Sequence, residues 1–449
     1  MAKSRTALIQ KEDDWSFVVP NMNTLLRSQD YQLANQDFLL NQDFGIDVNQ
    51  LQTGFIPREN TQPQLSSNYI VWLEYLRIIC LQVFAISLLL AVSYSARADE
   101  NSFRVKPDSN LQLAALVDDE KRTTLFTDAK KISSSWAFAM DNDFLAPGHR
   151  DRDYTFGLNL TYSGSNAEDA AISLKAPLGA IDKWLGLDKL VSSPRNNYSV
   201  ELGLFGFTPQ ELESDIINET DRPYASLVYF SSSHERIDVE KNVAWNSTLT
   251  IGALGLGWVG DLQNEVHKQI SASDARGWDN QISDGGELTA RYVLARQDYI
   301  ESFSDSVELK STLQASVGYL TETSWGMSFR TGKIISPWGS FNPDLISYGE
   351  KSTYSNNTST TNEHYFWAGF TLKARFYNAF LQGQFRDSDF SYSYSGLRPV
   401  IAEGWAGYTY SFKQGYRISY VLRAQSSEIK NGDGDRSVVW GGLIFATTI

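Results

Sequence analysis

The chain has 449 residues, 13% of them aromatic and 42% hydrophobic overall, so its apolar mass is concentrated in rings, which suits amphipathic strands better than a large solid core. A formal charge of −14 and a pI near 4.9 exclude the basic stripe that a nucleic-acid partner requires. The only cysteine, Cys80, lies in a segment read below as removable, so disulfides and thiolate metal sites are excluded from the mature chain.

Residues 1–70 are polar, rich in Gln and Asn and without periodicity. Residues 71–98 then carry the layout of a secretory signal peptide: Arg77, an apolar stretch from Ile78 to Val92, and small residues ending Ala96-Arg97-Ala98, with a mature start at Asp99. A signal peptide should open the chain, so residues 1–70 are expected to be an over-extended start of translation, the true start falling between Val71 and Leu76. The alternative is a retained anchor, but the apolar stretch is shorter than the ~20 residues a helical span needs. Residues 99–132 are expected to form a periplasmic segment, and 133–449 the main body.

No later apolar run could cross a bilayer as a helix, so a body in a membrane must be a closed barrel. Period-two alternation recurs throughout it. Trp136, Phe138 and Met140 alternate with Ala137, Ala139 and Asp141; Tyr154, Phe156, Leu158, Leu160 and Tyr162 alternate with Thr155, Gly157, Asn159, Thr161 and Ser163. Further strands are predicted over 198–208, 223–233, 245–256, 286–298, 306–320, 324–334, 364–377, 399–411, 415–427 and 436–447. That makes twelve, the even number expected of bacterial single-chain barrels, with 378–388 leading into a loop. The prediction is an all-β protein: a twelve-stranded antiparallel transmembrane β-barrel with a short helix in an extracellular loop. A soluble β-sandwich is the alternative, which the export signal and the girdle-like Tyr and Trp positions disfavour.

With both termini periplasmic, the links 144–153, 209–222 and 257–285 share the outer rim. They hold or border almost every polar cluster that breaks the strand pattern: Asp141-Asn142-Asp143, Asp151 to Thr155, Asp221-Arg222-Pro223-Tyr224, and the run from Gly257 to Gln281. Asn142 and Asp143 interrupt an apolar strand end, which is costly near lipid without partners. Carboxylate, amide and hydroxyl oxygens suit a hard cation, so this triplet facing Thr155 is a candidate Ca2+ site; the competing reading is a simple turn start. Alternation places Asp143 and Thr155 on the inner face and Asn142 on the outer, so a shared site requires a bulge.

In the third outer link, Asp261 can cap a helix carrying Leu262, Val266 and Ile270 on one face, packed against the wall. His267 stands beside that face, one turn after Gln263. A helix so held would fix an imidazole where a general base needs to be. Of the four histidines, His234 and His364 lie toward the periplasmic end; His149, in a short Gly/Pro loop, competes with His267 for the role. There is no G-x-S-x-G elbow, phosphate loop, Rossmann fingerprint or zinc spacing, and Ser226 lies down the wall, which leaves activated water as the simplest nucleophile.

The strings WAFAMDNDF, DRDYTFGLNLTYSG, FTP followed by DRPYAS, and VGDLQNEVHKQI with GWDNQI occur in an order and at strand positions that resemble the outer-membrane lipid A 3′-O-deacylase family. The motifs cover residues 133–300, and the rest of the barrel follows by pattern. The resemblance implies a monomeric enzyme of the Gram-negative cell outer membrane. It would hydrolyse ester-linked acyl chains of lipid A in lipopolysaccharide, using Ca2+ to form the oxyanion hole and a histidine to activate water. Carried over by motif, His267 matches the base, Asn142 and Asp143 the pair near the metal, and Thr155 the hydroxyl-bearing strand residue. Arg222, Tyr224, Gln263, Asn264, Trp278 and Asp279 fall at substrate-binding or loop-positioning places. One departure is the second outer link: family members can carry a lysine there, whereas this chain has Glu211, Glu213, Asp215, Glu219 and Asp221 and no lysine from 191 through 240. A non-catalytic barrel, channel or structural, and an outer-membrane phospholipase are the rival functions.

Overall fold

The computed structural model describes residues 134–147, 152–191, 194–270, 272–304, 307–350 and 362–448. The N-terminal extension, the signal peptide, the segment 99–132, His149 and Asp151 lie outside the described residues. Among the described residues, twelve strands form a closed antiparallel barrel, each pairing with its chain neighbours and the first with the last. They are β1 (Ser135–Asn142), β2 (Asp153–Ser163), β3 (Arg195–Thr208), β4 (Ala225–Asp238), β5 (Val243–Leu254), β6 (Glu287–Ser304), β7 (Val307–Gly318), β8 (Leu320–Lys333), β9 (Glu363–Asn378), β10 (Val400–Ser411), β11 (Tyr416–Gln425) and β12 (Val438–Thr448). No helix among them is long and apolar enough to cross a membrane. All twelve predicted strands are found, with β4 and β6 running several residues further toward the periplasmic rim than alternation suggested.

The wall sorts its side chains as period two requires. Trp136, Phe138, Leu160, Leu202, Ile251, Phe370 and Phe445 stand exposed on the outside, a belt that only hydrocarbon would solvate, whereas Ala137, Ala139, Asn159 and Thr161 are buried inside. The lumen is not open. Residues 334–350, in the link after β8, fold into it and are gripped by inward side chains from around the wall. The Gly349 carbonyl accepts from Asn159 (2.5 Å) and Tyr229 (3.0 Å). Glu350 accepts from Thr250 (2.7 Å), Arg291 (2.8 Å) and Tyr319 (2.6 Å). Asp344 pairs with Lys310 at 3.1 Å and accepts from Gln297 at 2.6 Å. Phe341 packs edge-on against Tyr365 and Trp367. An aromatic cluster of Tyr154, Phe205, Phe207, Phe380 and Trp440, joined by Tyr348 of the plug itself, fills the outer half of the lumen.

Among the described residues three helices lie in the links: α1 (Lys175–Trp184) between β2 and β3, α2 (Trp258–Ile270) between β5 and β6, and the short α3 (Ala379–Gln382) after β9. Helix α2 is the predicted loop helix, but it starts three residues before Asp261, which therefore sits in its first turn, where a carboxylate favours the dipole, instead of capping it. Its orientation also departs from expectation. Val259, Gln263 and His267 form the buried face, while Trp258, Leu262 and Val266 are 48%, 38% and 50% exposed. The mixed face is the buried one because Gln263 and His267 find specific partners in the returning link, at Trp278 and Ser273. The purely apolar stripe is left facing the surroundings.

Candidate active site on the outer wall

The site is built where β2 breaks its own alternation. Asp153 holds a left-handed backbone (φ 70°), and the β2–β3 register slips between Tyr154 and Phe156, a bulge that adds one residue to β2. Two predicted orientations are corrected by it. Tyr154 turns inward and is fully buried, its hydroxyl donating to Asp141 Oδ2 at 3.3 Å. Thr155 turns to the outer face, where its hydroxyl lies 2.5 Å from that of Thr208, an outward position of β3. Asn142 is already on that face at the end of β1, opposite Phe156. Its amide Nδ2 donates to the Thr155 carbonyl (2.7 Å), and its Oδ1 accepts from the Phe144 N–H (2.7 Å), capping the 3-10 turn Asp143–Leu145. Asp143 is 2% exposed, and its carboxylate accepts from the Arg152 N–H at 2.5 Å. The turn-start reading of the triplet is thus realised, and the same turn leaves a carboxylate, an amide oxygen and two hydroxyls around one bulge.

Helix α2 is held against this outer wall by Trp278, which packs with Val259, Ala275, Leu212 and Tyr224, and with Phe156 and Val228 of the wall. Trp278 and Phe156, the residue after Thr155, have ring centroids 6.4 Å apart. Two glycines make the approach possible. A Cβ on Gly260 would lie 2.5 Å from Trp278 Cγ, and one on Gly206 would lie 2.6 Å from Phe156. Tyr224 supports Trp278 from behind (5.0 Å between centroids) and donates its hydroxyl to the Leu212 carbonyl at 3.1 Å.

A chain of hydrogen bonds then settles the chemistry of His267. The Ser273 carbonyl, 2.5 Å from Nδ1, can only accept, so Nδ1 carries the hydrogen. Trp278 Nε1 can only donate, and it reaches Gln263 Oε1 at 2.8 Å. The amide NH2 of Gln263 must therefore face His267 Nε2, 3.3 Å away, and Nε2 keeps the lone pair. Asn264 clamps the returning strand by bonding both the N–H (2.7 Å) and the C=O (2.9 Å) of Ala275.

Of the sequence-predicted residues, Asn142, Asp143 and Thr155 meet at the bulge, and Tyr224, Gln263, Asn264, His267 and Trp278 meet around α2, with the Phe156–Trp278 contact joining the groups. Arg222 and Asp279 stand apart. Asp279 lies exposed on the turn Gly277–Asn280. Arg222 turns inward: its guanidinium lies 4.8 Å over the Phe207 ring, pairs with Glu428, and is 3.8 Å from Asp153. Burial works against its charge, and Glu428 and Asp153 outweigh that and raise its pKa. It belongs to a latch that ties the second outer link to the last one, completed by Arg436 between Asp153 (2.9 Å) and Asp221 (2.7 Å). Thr208, Phe156, Gly206 and Gly260 were missed by sequence reasoning. The LFGFT pattern of β3 carried the signal for two of them, since a glycine flanked by inward aromatics marks an outward place where something approaches closely.

Among the described residues no three His, Cys, Asp or Glu side chains stand together as a metal cage. Oxygens are what the bulge offers, with one carboxylate among them.

No curated protein matches the chain in sequence. Among solved structures, LpxR from Salmonella typhimurium is 17% identical, with a TM-score of 0.53, covering 70% of this chain and 100% of that one. The KdgM porin (4% identity, TM-score 0.30, 70% and 99% covered) and the translocator domain of autotransporter NalP from Neisseria meningitidis (8%, 0.33, 81% and 99%) are more distant. The profile of the family described as outer membrane protein LpxR matches residues 84–449. Spanning most of the chain and agreeing with its closed twelve-stranded barrel, that match shows that the chain belongs to the outer membrane protein LpxR family and resides in a Gram-negative outer membrane.

Proposed function

We propose that the protein is a lipid A deacylase-like ester hydrolase that works on the outer face of its wall, beside the bulge of β2, with His267 as general base. The observation that carries this reading is the fixed tautomer of His267. Ser273 and the Trp278–Gln263 pair leave the lone pair on Nε2, on a helix that Trp278 holds against Phe156, the residue after Thr155. In the proposed step water displaces the long 3.3 Å contact from the Gln263 amide, Nε2 takes a proton from that water, the hydroxide adds to the ester carbonyl carbon, and the tetrahedral adduct collapses. The C–O bond to the sugar breaks, and Nε2–H returns the proton to the departing alkoxide.

Oxygen donors of the type found at the bulge suit a hard divalent cation, and Asp143, Asn142 and Thr155 would hold Ca2+. Bound there, the cation would supply stabilisation of the oxyanion. A single carboxylate implies weak affinity, in the ~10⁻⁴–10⁻³ M range of extracellular sites. The exposed stripe of Trp258, Leu262 and Val266 gives the helix an apolar surface suited to acyl chains. A channel is disfavoured by the filled lumen.

The test is mass spectrometry of lipid A from cells expressing wild type or His267→Ala, with Ca2+ or a chelator. A product lacking an ester-linked acyl chain should appear with wild type and Ca2+ alone. Product persisting in His267→Ala would exclude the mechanism; phospholipid release with unaltered lipid A would favour a phospholipase.

A further inference from the structure

Helix α1 was not foreseen, and it occupies an unusual place. In β4, Tyr229 and Glu235 point inward, to Gly349 and Asn342 of the plug, so Ser232, His234 and Arg236 point out. In β5, Asn246 and Thr250 point inward, so Trp245 and Ser247 point out. These outward residues are the ones α1 covers. Leu178 and Leu187 pack with Val243, Trp245, Tyr292 and Leu294, and Asp182 of α1, fully buried, accepts from Arg236, Ser247 and Tyr292, each at 2.7 Å. The Leu174 N–H donates to Ser232 Oγ at 2.9 Å. A link from the periplasmic rim therefore folds up along the lipid-facing side of the wall. It shields a polar patch that hydrocarbon could not solvate, leaving Leu249 and Ile251 beyond it in the apolar belt.

The cover does not fit tightly. A cavity of 540 Å³ remains between α1 and the wall, lined by Lys175, Lys183, Tyr198, Ser232, His234 and Arg236, with the carboxylates of Glu168 and Asp188 on its border. Its volume is that of a small-molecule site. The charge pattern is mixed and separable. Lys175, half exposed, pairs with Glu168 at 2.8 Å, Arg236 lies 3.7 Å from Asp188, and Lys183 is exposed. A ligand carrying both signs could replace the loose surface pairs with its own. Trp184 and Ile172, 74% and 70% exposed, flank the helix as interfacial anchors do.

We propose that this cavity binds the zwitterionic headgroup of a glycerophospholipid from the inner leaflet, a phosphate with a primary ammonium. Lys175 and Lys183 take the phosphate and Glu168 and Asp188 the ammonium, while the acyl chains follow the wall toward Leu249. The site is at the opposite end of the wall from the rim that carries His267 and is independent of the proposed hydrolysis.

The test uses purified full-length mature protein in detergent. Native mass spectrometry would follow titration with phosphatidylethanolamine, phosphatidylglycerol or phosphatidylcholine, and separately with inorganic phosphate. Phosphatidylethanolamine should be retained at least tenfold better than the other two lipids. Lys175→Ala with Lys183→Ala should abolish that retention, and Glu168→Gln with Asp188→Asn should erase the preference over phosphatidylglycerol while both lipids are still retained. All four side chains are on or near the surface, so the barrel's heat-modifiable gel mobility should be unchanged in every variant. Equal retention of the three lipids, retention indifferent to both double variants, or inorganic phosphate displacing the lipid would each overturn the proposal, the last by marking a free-phosphate site.

Discussion

Gly260→Ala is a sharp probe of how α2 positions His267. The added Cβ would stand 2.5 Å from Trp278 Cγ and 2.7 Å from Cδ1, against an ordinary contact near 3.4 Å. Trp278 cannot yield: it is 5% exposed, its ring lies against Phe156 and Tyr224, and its Nε1 is committed to Gln263. The helix must lift instead, by roughly 1 Å, at the ~1–3 kcal/mol typical of overpacking. Lifting stretches the Trp278–Gln263–His267 chain, and a displacement of ~1 Å can lower a rate by ~100-fold. The barrel itself should be untouched, because α2 lies outside a wall whose strands pair without it. The assay is lipid A deacylation in isolated outer membranes, followed by mass spectrometry, beside heat-modifiable mobility to count folded barrels and limited proteolysis of the 258–276 link. Gly257→Ala, where an added Cβ meets nothing within 4 Å, is the control and should keep full activity. Wild-type turnover together with wild-type protease resistance in Gly260→Ala would refute the argument, as would loss of the folded barrel.

Further outcomes follow from other parts of the structure. Asp143→Asn removes the one carboxylate of the bulge and should raise the Ca2+ concentration needed for half activity at least tenfold, with barrel stability preserved; an unchanged Ca2+ titration would exclude Asp143 as a ligand. Glu350→Gln leaves Arg291 buried with its main partner neutralised, so the barrel should lose about 3–5 kcal/mol, seen as a lower temperature for the heat-modifiable shift, and Arg291→Met should restore part of it. In planar bilayers the wild type should show no porin-sized conductance, since 334–350 fills the lumen; large steady openings would contradict the plug. The outer latch should be acid-sensitive. Burial would raise the Glu428 pKa, but Arg222 and Arg375 outweigh it and hold it low, and hydrogen bonds from Asn218 and Thr220 hold Asp433 low. Carboxylates with depressed folded pKa contribute stability that is complete above about pH 4–5 and lost as pH falls through the depressed values. Protease nicking of 426–437 should therefore stay constant from neutral to about pH 5 and rise below pH 4.

The strands were legible because each buries one face, and a period-two pattern over eight or more residues has few other uses. The converging rim followed from strand parity alone. What alternation could not show was its own failure at Tyr154 and Thr155, since a bulge is set by one backbone conformation, at Asp153, that leaves no periodic trace. The rotation of α2 was hidden for a related reason. Apolar spacing nominated Leu262 and Val266 for the wall, but Trp278, fifteen residues beyond Gln263 in the chain, supplies the hydrogen-bond donor that holds the Gln263–His267 face inward. Helix α1 and the plug are long-range arrangements of links, with no pattern of their own to announce which side of a wall they will choose.

These departures from the linear reading have a common consequence for where chemistry can occur. Had Thr155 pointed inward, it would have met Tyr348 and Trp440 in a lumen already packed by aromatics, with no path for a lipid. The bulge inverts Tyr154 and Thr155 together: the ring joins the inner cluster and seals the lumen, and the hydroxyl moves to the outer face beside Asn142 and Thr208. A single inserted residue thus closes the inside and furnishes the outside. With the lumen plugged from one end and sealed at the other, the groups that converge on the rim are reached from along the outer face of the wall.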